Sequence, residues 1–183
     1  MMDDGVAAYA TWSDVGATQR DADFRAYAFN IAEARYVMRR VTRIINEEAK
    51  KRGFDPLQHQ ALLQIYGVRE GVQLTISGLG ERLDVPAAFA SRLVRALEGE
   101  GYVVRTPSEQ DRRVTFVEAT DAGVRMLREI DEEVHRHVAF FQHSLRDEQR
   151  IAALSIFAFY VGIDADSPIA DALRAEREAP DAV

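Results

Sequence analysis

The 47 residues from Leu74 to Thr120 constrain this chain more than any others, reading LTISGLGERLDVPAAFASRLVRALEGEGYVVRTPSEQDRRVTFVEAT. Three local signals follow one another in that stretch. Thr75 predicts a helix start, because its hydroxyl can accept from the free amides of a first turn; Leu79 and Leu83, four apart, form its inner face. A tight Asp84-Val85 turn leads into a second helix from Pro86, where the missing amide of a first-turn proline costs nothing. Ala90, Leu93, Val94 and Leu97 recur at helical spacing as its buried side, and Gly99 and Gly101 end it. The segments Tyr102 to Thr106 and Val114 to Ala119 are strand-like, with the polar run Pro107 to Arg113 as the turn between them.

Two short helices joined by a tight turn, then a two-stranded ribbon with a basic tip, form a winged helix-turn-helix. The residues that fill this frame are Ser91-Arg92-Leu93-Val94, Leu97-Glu98, Gly101-Tyr102, Asp111-Arg112-Arg113 and Ala119-Thr120-Asp121-Ala122-Gly123. In that order they resemble the MarR family of transcriptional regulators. Its members carry S-R-L-V-x-x-L-E in the recognition helix, then a glycine, a D-x-R wing and L-T-x-x-G. The resemblance extends through helix order and spacing over roughly Phe24 to Ile163. It implies a mainly α protein: a winged helix-turn-helix with a small β-hairpin wing, and a helical dimerisation region built from N- and C-terminal helices.

Reading DNA requires a helix whose outer face reaches base edges and a wing that reaches an adjacent groove. On the second helix Ala87, Ala88, Ser91, Arg92 and Arg95 face away from the leucine stripe. Arginine suits guanine edges or phosphates, serine either, and alanine the thymine methyl. The family usually opens this helix with polar residues, whereas here stands Pro86-Ala87-Ala88-Phe89, so readout is expected to lean on apolar contacts and DNA shape. Phe89 is assigned to the core. At the wing, the resemblance implies that Asp111 orients an arginine towards the minor groove, whose negative potential attracts it. Arg112 is expected at the tip and Arg113 as the partner of Asp111.

A net charge of -7 looks wrong for a DNA binder until it is placed along the chain. Residues 1–23 carry a net -4 and residues 164–183 another -4, which leaves +1 for the middle. Salt screens charge beyond about 8–10 Å, so an arginine cluster in the middle acts locally. The ends are expected to be a flexible acidic arm, with Trp12 its sole anchor, and an acidic tail. No apolar run is long enough for a bilayer, and Met1-Met2-Asp3-Asp4 lacks the regions of a signal peptide; a cytoplasmic protein is expected. The chain has no cysteine, which removes disulfides, thiolate metal sites and the cysteine-based peroxide sensing the resemblance would otherwise permit.

Around the winged stretch the pattern is helical. Phe24 to about Lys51 repeats apolar residues at three and four; at 1.5 Å per residue it is about 40 Å long, enough to reach a dimer partner. Asp55-Pro56-Leu57-Gln58 signals a capped start. Asp121 is expected to cap a helix with Val124, Leu127, Ile130, Val134, Val138 and Phe141 as its stripe, and Ile151, Leu154, Phe157, Tyr160 and Val161 mark the last. The expected division is a domain over 24–163, its DNA-binding lobe 55–120 and its dimerisation helices 24–52 and 121–163.

Regulators resembling this chain commonly take small anionic aromatics between the dimer helices and the winged lobe. Tyr27, Tyr36, Arg39 and Arg40, with His59 and Tyr66, are the candidates, since arginine beside aromatic rings suits a ring carboxylate or the phosphates of an acyl-CoA thioester. His135, His137 and His143 lie near Asp131, Glu132 and Glu133. The pairs Asp131–His135 and Glu133–His137 have the spacing that lets two helical side chains meet, but ordinary surface pairs share it, and neither metal nor cofactor is expected. Glycine-rich phosphate loops, G-x-S-x-G and H-E-x-x-H are absent, so no enzyme is expected. The expectation is a homodimeric repressor on a pseudo-palindromic DNA operator, released by an effector. The rivals are a metal-responsive regulator and a dimeric interaction protein of the same fold that has lost operator binding.

Overall fold

The computed structural model describes residues 23–161 apart from 70 and 112. The acidic tail, the arm up to residue 22 and Arg112 therefore lie outside the described residues. In order the elements are α1 (Phe24–Lys51), α2 (Pro56–Tyr66), β1 (Leu74–Thr75), α3 (Ile76–Leu83), α4 (Ala87–Gly99), β2 (Val103–Pro107), β3 (Thr115–Ala119), α5 (Asp121–Ser144) and α6 (Asp147–Val161). None of the described helices is long and apolar enough to cross a membrane. The described residues divide into two compact units, one spanning Thr42–Phe140, the other holding residues 23–41 and 141–161.

The Thr42–Phe140 unit holds the winged helix. Its core joins Leu62 and Ile65 of α2, Leu79 of α3, Leu93, Val94 and Leu97 of α4, Val103 and Val117 of the sheet, and Leu127 and Ile130 of α5. Local chemistry places each helix. Asp55 accepts from the Leu57 amide at 2.9 Å while Gln58 reaches back to the Asp55 amide at 3.0 Å, a reciprocal cap with Pro56 in the first turn. Thr75 accepts from the Gly78 amide at 3.0 Å and opens α3. Asp84 then adopts the left-handed conformation, φ 53°, and turns the chain into α4. Pro86 stands one position earlier than expected, flanking α4 as its cap with no side-chain bond.

The wing has three strands in the order β1-β3-β2, all antiparallel. The hairpin matches expectation to within a residue, with Val103 opposite Ala119 and Pro107 opposite Thr115. The third strand is two residues long: Leu74 pairs with Val117 and Thr75 with Phe116. Such a segment has no periodicity of its own, and only the neighbouring strand gives it its conformation.

The start of α5 corrects the expected cap. Thr120, not Asp121, does the capping: its hydroxyl accepts from the Gly123 amide at 3.1 Å and donates to the Gly101 carbonyl at 2.7 Å. The Thr120 amide also donates to the Tyr102 carbonyl at 3.0 Å. Gly123 lies so close that an added Cβ would stand 2.3 Å from that same carbonyl oxygen. The T-x-x-G signature is thus a backbone-to-backbone contact.

In the other unit, Ala34 of α1, Phe141 of α5 and Ala152 and Ile156 of α6 are buried. Tyr36 meets Phe141 edge-on at 6.4 Å between ring centres. Gln149 donates to Glu33 at 2.6 Å. The stripe that marks α6 in the sequence lies outward instead: Leu154, Phe157, Tyr160 and Val161 are all at least half exposed. Phe24 and Phe29 of α1 are likewise exposed.

Replacing Gly123 by alanine forces the α5 backbone away from Tyr102. Gly123→Ala is expected to cost about 1–3 kcal/mol, the range for overpacking, read as a lower urea midpoint; an unchanged midpoint would show that the contact relaxes freely.

Candidate nucleic-acid interface

Helix α4 is locked on one side and open on the other. Ala90, Leu93, Val94 and Leu97 are buried, while Ala87, Ala88, Arg92 and Arg95 are exposed and Ser91 is half-buried. Phe89 packs against the core as expected, and the Arg92 guanidinium lies over its ring, 5.0 Å from the centre. One turn on, Arg95 donates to the Ser91 hydroxyl at 3.2 Å. These contacts restrain two long side chains on the face open to solvent, lowering the conformational entropy lost when they meet a ligand.

The helix and wing are joined by a residue pair absent from the expected set. Arg105 of β2 donates through Nε to Glu98 of α4 at 2.7 Å, and its Nη2 lies 2.5 Å from the same carboxylate oxygen. This bond holds the Glu98 carboxyl below its ordinary range and raises the Arg105 guanidinium. L-E in α4 and V-x-R in β2 were visible, but their meeting depends on the turn at Gly101, whose φ is 78°.

At the wing tip, Ser108 and Asp111 organise the turn. The Ser108 hydroxyl accepts from the amides of Gln110 and Asp111 at 3.2 and 3.3 Å. Asp111 accepts from the Arg113 backbone amide at 2.9 Å. The aspartate therefore shapes the backbone that presents Arg113 rather than gripping its guanidinium, and both residues are exposed.

The expected effector residues divide between the two units. Tyr27, Tyr36, Arg39 and Arg40 belong to the unit built on the start of α1; there Arg40 lies 5.5 Å from the centre of the Phe141 ring that Tyr36 also touches. His59 and Tyr66 belong to the winged unit, where they line a cavity of about 260 Å³ with Ile45, Leu63, Leu127, Arg128, Ile130, Asp131 and Val134. His59 is 6% exposed and its Nδ1 has no hydrogen-bond partner among the described residues. Burial pushes this imidazole below its ordinary value, against an opposing pull from Asp131. An apolar cavity with one neutral, unpaired imidazole nitrogen can hold a ring and hydrogen-bond one substituent. Leu127, Ile130 and Val134 were legible as a core stripe; that they also wall a cavity was not.

The sign of the His59 shift sets a pH dependence. Below the ordinary histidine value of 6.5, the unfolded chain takes up a proton that the folded chain resists. Stability should therefore fall as pH drops through that value, continuing to the lower folded value. His59→Leu should lose stability less steeply between pH 7.5 and 5.5 in urea titrations; an identical slope would remove His59 as a source of the loss.

Comparison with known proteins agrees with this geometry. A model of the MarR family matches residues 52–114, from the end of α1 to the wing tip. An HTH-type transcriptional regulator of Bacillus cereus is 32% identical over 106 residues, 57% of this chain and 68% of that protein. A protein of Thauera aromatica named as a transcriptional regulator for the hcr operon is 29% identical over 107 residues, and the match spans 58% of this chain but only 63% of that relative. The crystal structure of wild-type apo MarR from E. coli superposes with a TM-score of 0.56 at 22% identity, covering 69% of this chain and 91% of the other. The family model spans the helix, turn and wing, and the Bacillus cereus relative is 32% identical over 68% of its own length: the chain belongs to the MarR family of winged helix-turn-helix transcriptional regulators.

Proposed function

We propose that two copies of this chain bind a pseudo-palindromic operator, repress the adjoining genes, and release the DNA when a small aromatic molecule binds. The observation that carries the reading is the division of α4 into a buried apolar side and an exposed face bearing Ser91, Arg92 and Arg95. In this reading residues 55–120 form the DNA-binding lobe. Arg92 and Arg95, with Ser91, Ala87 and Ala88, enter the major groove, and the wing residues Asp111, Arg112 and Arg113 serve the minor groove and its phosphates. Half-sites lie about one helical turn apart.

A second copy is the occupant that fits the outward side of α6 and the start of α1. Phe157 is 58% exposed and Phe24 68%, and large apolar side chains this exposed on the two helices mark a surface suited to a protein partner. Residues 24–52 and 121–163 are accordingly assigned to dimerisation. The effector is assigned to the cavity beside His59 and Tyr66. A volume of about 260 Å³ is enough for one substituted ring, that of an aromatic acid or of the acyl end of its CoA thioester. Binding there would favour one spacing of the two recognition helices, which needs only about 1–3 kcal/mol of differential affinity.

Fluorescence anisotropy on DNA from the promoter beside the gene tests the reading. The dimer should bind, with affinity falling steeply as salt rises. Arg92→Ala should cost about 1–3 kcal/mol and relax discrimination at one base position, while Arg113→Ala should weaken all sequences alike and lower the salt slope by about 1. A folded dimer that shifts no DNA even at low salt would instead favour an interaction protein that has lost operator binding.

A further inference from the structure

The winged unit brings together three ligand-bearing side chains that the operator and effector readings leave unused. Glu48 comes from the last turn of α1; Glu133 and His137 come from successive turns of α5. One donor atom from each lies within 4.8 Å of the others. Glu48 is 5% exposed, and its Oε1 stands 3.3 Å from His137 Nδ1. That nitrogen is also 2.9 Å from the Glu133 backbone oxygen.

We propose that Glu48, Glu133 and His137 form a binding site for a divalent transition-metal ion, Zn²⁺ being the best fit, that cross-braces α1 to α5. Two carboxylates and an imidazole make a mixed oxygen and nitrogen set, which favours zinc over the oxygen-only preferences of calcium and magnesium. A tetrahedral ion with bonds of about 2.1 Å needs its donors about 3.4 Å apart. Closing the present spacing asks for a change of about 1.4 Å at most between donors, within the reach of side-chain rotation, and water would take the fourth position.

The charges now around the site do not forbid an ion. Glu48 accepts from Lys51 Nζ at 2.7 Å and Glu133 pairs with Arg136. Both cations stand three residues from their acids on the same helix, with side chains 62% and 68% exposed. Such pairs hold weakly and re-solvate easily. The buried Glu48 carboxylate is different: taken out of water, it gains most from a compact dication. The i,i+4 relation of Glu133 and His137 presents two donors from one helix face, and only the packing of α1 supplies the third. This inference does not rest on operator binding.

Calorimetry of the 183-residue chain, stripped with chelator and dialysed, tests it with ZnCl₂ as titrant and MgCl₂ as control. One Zn²⁺ per chain is expected, with a rise in the thermal midpoint that tracks occupancy. His137→Ala, a half-exposed position, and Glu133→Gln should each weaken uptake at least tenfold. His135→Ala and His143→Ala should leave it unchanged. Lys51→Ala should tighten it several-fold by freeing Glu48. No saturable uptake at 1:1, or uptake untouched by His137→Ala in a variant with unaltered helical circular dichroism, would overturn the proposal.

Discussion

The winged unit depends on one close approach, that of the α5 backbone to the chain between α4 and β2. The Thr120 hydroxyl bonds both Gly101 and Gly123, the Thr120 amide bonds Tyr102, and Gly123 offers no side chain to hold the two backbones apart. Four elements converge there: the end of α4, the start of β2, the end of β3 and the start of α5. A shift at this junction would move the wing and α4 relative to α5. The junction thus links α4 and the wing to the helix that walls the cavity and carries Glu133 and His137.

The candidate interface follows the same economy of short links. Arg92 rests on Phe89, Arg95 reaches Ser91, and Arg105 ties β2 to Glu98. The apolar Pro86-Ala87-Ala88-Phe89 opening looked like a departure from the polar start usual in the family. In three dimensions it gives Arg92 an aromatic rest and leaves a smooth approach at Ala87 and Ala88. At the wing tip Asp111 accepts from the Arg113 amide and so shapes the backbone that presents Arg113.

Elements governed by local rules were legible. Asp55 and Thr75 cap where their side chains can reach free amides two or three residues away. The α4 stripe was legible because its 3.6-residue period is a property of the helix alone. The cap of α5 was misplaced by one residue, since Thr120 and Asp121 are both good caps and only contact with Gly101 selects between them. Strand β1 was missed for a related reason: two residues carry no pattern, and their pairing partner lies more than 40 residues away at Val117 and Phe116. On α6 the apolar period announced a helix without saying which side would be inside; the residues that marked it proved to be exposed.

Sequence by itself determined the order of helices, the turn, the wing and the face of α4 that opens to solvent, because each is decided by neighbours within about a turn or by strand alternation. Tertiary structure alone decided which residues of different elements meet: Glu48 with His137, Glu98 with Arg105 across the Gly101 turn, and His59 with Asp131 around the cavity. The physical reason is that burial and electrostatics act through space. A carboxylate or imidazole has the same letter whether it faces water or a core, and packing settles which.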